Sequence, residues 1–359
     1  MWREMPFDSC IKKIKIPPKV PKKLYMETGA YPVVSQEAVH ISGYYDDPSK
    51  VFRVEKPVVI FGDHTRTCKY VDFDFIVGAD GVKVFLPDES INSKYFYYFI
   101  LANTPKDKGY ARHYRFLKQL TVPIPPLAEQ KRIVERLDKA FAEIDKGIEI
   151  AQECKTVASK ISDASVKHAL ANQYFEWKTI DLGSIAENLD AKRVPITKSK
   201  RVEGDVPYYG ASGIVDYVDG HLFDEELLLI SEDGANLLMR AYPIAFPVSG
   251  KAWVNNHAHV LRFSDRNTQK WVERYLNATD LKKFISGMAQ PKINQRKLNS
   301  IPIPLPNEKH MNELLSVIDM TKQKGDELNK VQTEKVFQLV QLKSAILAKE
   351  LHPSKSEAA

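Results

Sequence analysis

This chain of 359 residues lacks most of the marks by which common chemistries announce themselves. Its three cysteines, Cys10, Cys68 and Cys154, are scattered and odd in number, and none stands in a C-x-x-C pair. That excludes a zinc knuckle or a dithiol redox pair and fits a reducing compartment. No apolar run approaches the roughly 20 residues that cross a bilayer. The opening Met1-Trp2-Arg3-Glu4-Met5-Pro6 has no apolar signal core, so the expectation is a cytoplasmic protein. Phosphate-loop chemistry is absent: Ser249-Gly250-Lys251-Ala252 lacks both the leading glycine and the hydroxyl of G-x-x-x-x-G-K-[ST]. There is no G-x-G-x-x-G and no Asn/Asp-Pro-Pro-aromatic motif, which argues against a self-contained adenine methyltransferase. Charge excess is small, +6 at a pI near 8.9, and points only weakly to a polyanionic partner.

What the chain does have is repetition. Val122-Pro123-Ile124-Pro125-Pro126-Leu127-Ala128-Glu129-Gln130 is a proline-stiffened strand end running into a charged helical pattern. Ile301-Pro302-Ile303-Pro304-Leu305-Pro306-Asn307-Glu308-Lys309 does the same 179 residues later. Upstream, Trp2 matches Trp177, Pro32-Val33-Val34 matches Pro207-Tyr208-Tyr209, and Leu101-Ala102-Asn103-Thr104 matches Leu276-Asn277-Ala278-Thr279, all at an offset of 175. Anchors in constant order at near-constant spacing mean a tandem duplication. Two similar modules on one chain suit a ligand that offers two separated half-sites.

The expected fold class is α+β: two similar mixed α/β modules and a pair of long antiparallel coiled-coil helices. Residues 1–125 form the first module, 126–172 the central helix, 173–305 the second module, 306–352 the C-terminal helix and 353–359 a disordered tail. Val58-Val59-Ile60-Phe61 and Val82-Lys83-Val84-Phe85-Leu86 read as strands, with a turn at Gly62-Asp63-His64. Residues 91–101 read as a buried helix capped at Asn92-Ser93. In the central helix, Val134, Leu137, Phe141, Ile144, Ile148 and Ala151 recur at alternating steps of three and four, a coiled-coil seam. Beyond it the seam is expected to shift to Cys154, Val157, Ile161 and Ala164, a stammer. The C-terminal helix offers Leu314, Ile318, Leu328, Leu339, Leu342 and Ile346, weakening at Thr321 and Gly325. About 45 residues of helix give a rod of roughly 65–70 Å. One rod cannot bury its stripe alone, so the two are expected side by side and antiparallel, with a module at each end.

No catalytic constellation is evident and no catalytic residue is nominated. Glu153-Cys154-Lys155 imitates a nuclease E-x-K but lies within a helical rod. His257-Ala258-His259 would place two imidazoles on one strand face, but no partner carboxylate or cysteine is evident, so no metal site is expected. The aromatic run Tyr95-Phe96-Tyr97-Tyr98-Phe99 fits core packing better than base stacking. Polar clusters are more informative because they recur at equivalent points. His64, Thr65, Arg66 and Lys69 follow the first β-run, and Arg112, His113, Arg115 and Lys118 follow the glycine turn after Lys108. In module two the counterpart of the later cluster holds Gln290, Lys292, Gln295, Arg296 and Lys297, and Lys251, Asn255 and Asn256 join the set. Such side chains read base edges or neutralise phosphates, and function gathers on loops held by a rigid frame. The frame anchors match between copies while the loops differ: His64-Thr65-Arg66 has no evident counterpart in Asp233-Gly234-Ala235.

The stretch Pro123-Ile124-Pro125-Pro126-Leu127-Ala128-Glu129-Gln130-Lys131-Arg132-Ile133-Val134 resembles the central helix of the specificity subunits of type I restriction–modification systems. The second copy at residues 302–312 fits that family's C-terminal helix, with Lys309 where the glutamine would stand. Trp2 and Trp177 at the module starts and Gly287-Met288-Ala289-Gln290-Pro291 before the second rod fit as well, so the resemblance covers essentially the whole chain. It implies a non-catalytic subunit whose two target recognition domains read an asymmetric bipartite DNA sequence with a nonspecific spacer. It implies partners: double-stranded DNA, two modification (methyltransferase) subunits, and restriction/translocase subunits. S-adenosylmethionine, ATP and Mg would reside on those partners and no cofactor on this chain. The alternatives are a coiled-coil scaffold without DNA specificity, a specificity module of another restriction–modification type, and a nuclease with an unrecognised site.

Overall fold

The computed structural model describes residues 2–106, 109, 111–171, 177–287 and 289–351. The expected disordered tail lies outside the described residues, as do Lys108, Tyr110 and Met288 of the polar clusters. The chain divides into two units, residues 1–152 with 334–359, and residues 153–333. Each unit thus combines one module with a stretch of both long helices.

In the first module the strands are β1 (Arg3–Pro6), β2 (Ile11–Lys12), β3 (Tyr31–Val34), β4 (Gly43–Tyr45), β5 (Val51–Phe52), β6 (Val58–Gly62), β7 (Cys68–Val71), β8 (Phe75–Val77), β9 (Val82–Pro87) and β10 (Thr121–Ile124). Its helices are α1 (Ser93–Ala102) and α2 (Tyr114–Leu117), after which α3 (Leu127–Ala171) forms the first rod. The second module runs β11 (Lys178–Asp181), β12 (Glu187–Asn188), β13 (Val206–Gly210), β14 (Gly213–Val218), β15 (Phe223–Asp224), β16 (Leu227–Ser231), β17 (Ala245–Val248), β18 (Lys251–Val254), β19 (Ala258–Arg262) and β20 (Pro302–Leu305). Its helices are α4 (Leu182–Ile185), α5 (Asn236–Met239), α6 (Arg266–Ala278) and α7 (Gln295–Asn299), and α8 (Glu308–Leu351) is the second rod.

The duplication is visible in the strand orders. One sheet runs β2-β9-β6-β7 in module one and β12-β19-β16-β17 in module two. The other runs β4-β3-β8-β5 and β14-β13-β18-β15, and the strand pair β1-β10 becomes β11-β20. The single parallel pairing recurs too, with Val34 opposite Val77 in one copy and Tyr209 opposite Val254 in the other.

Local signals explain the join between module and rod. Asn92 caps α1, accepting the Lys94 and Tyr95 amides, and α1 buries Tyr95, Phe96, Tyr98 and Phe99 as core. Pro125 and Pro126 end β10 and precede α3, where a missing N–H costs nothing. Gln130, fully buried, accepts the Asn92 amide at 2.7 Å and donates to the Ser90 and Pro125 carbonyls at 2.9 and 2.8 Å. The Pro-Leu-Ala-Glu-Gln signature is therefore a brace between the α1 cap, the proline strand and the rod. The Tyr95 hydroxyl donates to the Pro123 carbonyl at 2.7 Å, and the Trp271 indole donates to the Pro304 carbonyl at 2.7 Å in module two.

The rods pack antiparallel within each unit. In the first, Arg136 meets Glu350 and Lys343 meets Asp145 at 2.7 Å. The stripe Ile133, Leu137, Phe141 and Ile144 also enters its own module's core with Phe96, Tyr98 and Phe99. In the second, Val166 of α3 and Met311, Leu315 and Ile318 of α8 share a core with Trp271 and Leu276.

The expected stammer is absent. Val157 is 66% exposed and Ala164 also faces outward, while Ala158 is buried; Ile161, 37% exposed, still reaches α8 at Gly325 as expected. The seam continues in unbroken steps of seven through Leu137, Ile144, Ala151 and Ala158. On α8, Leu328 and Leu342 are likewise exposed, whereas Gly325 is buried. The reason is backbone approach: a Cβ at Gly325 would lie 2.9 Å from both the Ala158 carbonyl oxygen and Ile161 Cγ2. Small residues carry the seam where larger ones were sought. Gly325→Leu should therefore destabilise the protein by about 1–3 kcal/mol through overpacking, and Val157→Ala should stay within about 0.5 kcal/mol. Chemical denaturation followed by circular dichroism checks this, and equal effects of the two variants would place the seam on Val157 after all.

Candidate nucleic-acid interface

In each module the C-terminal ends of three strands meet at one edge. In module one these are β3, β6 and β8, and their loops are laced together. Gly78 donates to the Val34 carbonyl at 2.9 Å, Asp63 to the Gly81 carbonyl at 2.7 Å, and Thr65 Oγ1 to the Gln36 carbonyl at 2.6 Å. The segment before α2 joins them: the His113 amide reaches the Asp63 carbonyl at 2.8 Å and the Tyr114 amide reaches Asp63 Oδ1 at 2.8 Å. Asp63 is 4% exposed and acts as the hub. Lys83 stands over the Tyr114 ring and 3.9 Å from Asp63, and the Lys19 ammonium donates to the Val82 carbonyl at 2.6 Å.

Module two repeats the plan with different chemistry. The ends of β13, β16 and β18 meet, with Asn255 donating to the Tyr209 carbonyl at 3.1 Å and Glu232 to the His257 carbonyl at 2.9 Å. The segment before α7 is stapled on by Ile293 donating to the Glu232 carbonyl and Gly234 donating to the Pro291 carbonyl. Beneath it lies a buried ionic network. His259 Nδ1 meets Asp190 Oδ2 at 2.6 Å, and its Nε2 meets the Ile293 carbonyl at 2.8 Å. Arg193 donates to Glu232 at 2.6 Å, and Lys292 donates to the same carboxylate at 2.9 Å. Burial alone pushes the Asp190 carboxyl up, but the His259 hydrogen bond and charge, the Val260 amide and Arg193 outweigh it and hold the group below the ordinary range. Glu232 behaves alike: burial raises it, and Arg193, Lys292 and His259 bring it lower.

This network revises the sequence reading of His257-Ala258-His259. Carboxylate partners do exist, since Asp190, Glu232 and His259 bring ligand-type atoms within 4.8 Å of one another. The two imidazoles are nevertheless separate: His257 pairs with Asp233 at 2.9 Å. The buried carboxylates already face Arg193 and Lys292, and both His259 nitrogens face acceptors. Such a donor set balances its charge internally and does not suit a divalent cation.

The structure brings His64, Thr65, Arg66 and Arg112 together at the module-one edge, and Asn256, Gln290 and Lys292 at the module-two edge. Three nominated side chains are turned inward instead. His113 is fully buried with Nδ1 against the Asp63 carbonyl oxygen. Lys69, 4% exposed, gives its ammonium to the carbonyls of Ser35, Val39 and His40, and burial pulls its pKa down to about 8. Asn255, 6% exposed, accepts the His257 amide to close its turn. Lys251 opens β18 opposite Asp224, at the far end of the strand from Asn255. Lys118 pairs with Asp8 at 3.1 Å beside β1, and the Arg115 guanidinium lies over Phe116. Gln295, Arg296 and Lys297 follow on α7, which Asn294 caps.

Sequence reasoning missed Asp63, Glu232, Asp190 and Arg193, whose long-range partners leave no local pattern. It also passed over Lys13, Lys15 and Lys23, exposed between β2 and β3, and Lys192, Lys198 and Lys200 at the equivalent point of module two. That signal was available as a run of like charge recurring in the repeat. Asp190→Asn should cost about 3–5 kcal/mol at pH 7, because it deprives buried Arg193 and His259 of the carboxylate both face. A lowered carboxyl pKa stabilises the fold above its unfolded value of about 4 and loses that contribution as pH falls through the folded value. The stability gap between wild type and Asp190→Asn, measured by urea unfolding, should therefore shrink on acidification; a constant gap would sink this account.

The geometry has counterparts. A family model described as "Type I restriction modification DNA specificity domain" matches residues 10–153 and again residues 175–334. A putative type I restriction enzyme specificity subunit of Haemophilus influenzae is 37% identical over 144 residues, 40% of this chain and 36% of that protein's length. The EcoR124I/EcoR124II specificity subunit of Escherichia coli is 24% identical over 86% of this chain and 84% of its own. Among solved structures, a chain from a study of complex assembly and conformational transition of the type I R-M system superposes with a TM-score of 0.72 at 17% identity, over 98% of both chains. The HsdS subunit of Thermoanaerobacter tengcongensis superposes with a TM-score of 0.52 at 18% identity, covering 98% of this chain and 97% of its own. The family model spans both modules, and on that match the chain is a member of the type I restriction–modification specificity-subunit family.

Proposed function

We propose that this chain reads a bipartite, asymmetric DNA target, one half-site per module, across a spacer of unspecified sequence. The observation that supports this most is the repeated edge of laced loops: the frame recurs strand for strand, while its side chains differ between copies. A duplicated frame with divergent polar loops suits a reader of two different short sequences. Exposed Arg112, Asn256 and Gln290 at these edges are the side chains we assign to DNA, with Thr65 and Lys292 held beside them by Gln36 and Glu232. Other exposed basic groups serve the phosphates.

The chain itself catalyses nothing in this reading. Two modification subunits dock on it and supply methyl transfer from S-adenosylmethionine, and restriction/translocase subunits with ATP and Mg join them. Among the described residues no helix is long and apolar enough to cross a membrane. A role on chromosomal DNA places the work in the cytoplasm.

Methylome sequencing of cells carrying the chain with its modification partner tests the reading. Replacing residues 1–125 with another family module should change one half-site and spare the other. Inserting four residues in both α3 and α8 should alter the spacer and leave each half-site intact. Methylation that ignores the module exchange would favour a plain scaffold, and an unchanged spacer would remove the ruler role from the helices. Binding by the purified complex should also weaken steeply with salt, on a linear log–log slope.

A further inference from the structure

Among the described residues, two non-glycine residues adopt a left-handed backbone, Arg66 with φ 63° and Arg240 with φ 52°. Both are arginines, and both lie in the connection that leaves the central strand, after β6 in one module and after β16 in the other. These connections differ in length, residues 63–67 against 232–244, and the 175-residue offset sets Arg66 beside Ala241, one residue from Arg240. Their guanidinium groups both donate to carbonyls near the C-terminal end of their own module's helix. Arg66 Nη1 donates to the Pro105 carbonyl at 3.4 Å. Arg240 donates from Nη1 to the Leu276 carbonyl at 3.1 Å and from Nη2 to the Thr279 carbonyl at 3.0 Å. Arg240's acceptors are the last turn and the C-cap of α6, where unpaired carbonyls and the helix dipole favour a cation; Arg66's acceptor lies three residues past the end of α1. Arg66 to Arg240 is a step of 174 residues, one short of the repeat offset, and the counterpart of Thr279 at that offset is Thr104, next to Pro105.

A left-handed conformation costs an ordinary residue roughly 1–2 kcal/mol and persists only where its surroundings impose it. Glycine or asparagine would meet the backbone requirement more easily. Arginine in both copies indicates that the bend and the guanidinium anchor act together. Each anchored bend controls a recognition loop. The Arg66 amide donates to the Gly62 carbonyl at 2.8 Å, closing the tight loop in which Asp63 holds His113 and Tyr114. The Arg240 amide caps α5 on the Asn236 carbonyl at 2.9 Å, and its Nε reaches the Leu237 carbonyl at 3.2 Å. At the other end of that connection Gly234 holds Pro291, beside Lys292.

We infer that Arg66 and Arg240 are a pseudo-symmetric pair of positioning residues, each fixing the DNA-facing loop of its own module from the end of that module's helix. The inference rests on the reading of the modules as DNA readers, and it moves Arg66 from the DNA contacts to the supports. The test uses the full chain in its methyltransferase complex, with Arg240→Lys, Arg240→Gly, Arg66→Lys and Arg66→Gly. Glycine relieves the bend and deletes the anchor; lysine keeps the charge but cannot satisfy two carbonyls as the planar fork does. Either Arg240 variant should raise methylation about tenfold at sites altered in one half-site, with discrimination at the other half-site unchanged, and the Arg66 variants should do the reverse. Amide exchange on the purified chains should quicken at residues 232–239 and 289–293 for Arg240→Gly and at residues 62–66 and 111–114 for Arg66→Gly, with α3 and α8 unchanged. Wild-type exchange in those loops, or equal relaxation of both half-sites, would overturn the inference. Should the wild-type chain direct no bipartite methylation at all, the functional reading fails, and the exchange measurement still decides the arginines.

Discussion

Everything in this protein leans on the contact between each long helix and the module beside it. An isolated rod with one apolar stripe is marginal in water. Here Leu137 and Phe141 of α3 enter the core of module one, with Phe141 edge-on to Tyr98 at 5.4 Å. Asp138, one turn earlier, receives the Lys94 ammonium at 2.7 Å and the Tyr98 hydroxyl. Module two makes the matching tie between Arg274 of α6 and Asp319 of α8 at 3.2 Å. With Gln130 bracing the helix start, the orientation of the rod is set by the module's own core, and the loops at the strand ends inherit that rigidity.

On this frame the two modules reach the same arrangement by different chemistry. Module one uses a single buried carboxylate, Asp63, which satisfies backbone amides and leaves little charge uncompensated. Module two uses a charge-balanced cluster of Asp190, Arg193, Glu232, His259 and Lys292. Such a cluster is costly to desolvate and strongly destabilised by loss of one member, so it commits the loop before α7 to one geometry. A duplicated fold that keeps its sheets and exchanges its supports can alter what it reads without altering how it stands.

The duplication, the β-runs at Val58 and Val82, the Asn92 cap and the two rods were legible because local rules produce them: period-two apolar runs, capping side chains, prolines that end strands. The seam was legible only as far as Ala151. Past it, the large apolar residue Val157 points to solvent, while the helices meet at Ala158 and Gly325 with Ile161 alongside. Among the nominated polar residues, Arg112, Asn256 and Gln290 do face outward at the loop edges, and Lys292 is exposed with its ammonium held by Glu232. Lys69 and His113 do not, because the carbonyls that claim them belong to segments 29 to 50 residues away.

The repeat, the element types, the rods and the family were thus determined by sequence alone, since each depends on neighbours within a few residues or on comparison of one half of the chain with the other. Tertiary structure decided which polar groups are free to meet a ligand. That choice depends on where buried carboxylates and helix-end carbonyls come to lie after folding, and Lys292, 60 residues from Glu232, carries no mark of the pairing in its own neighbourhood. Arg66 and Arg240 illustrate the division: as sequence one is a member of a polar cluster and the other is unremarked, in unequal loops, and only the folded backbone makes them comparable.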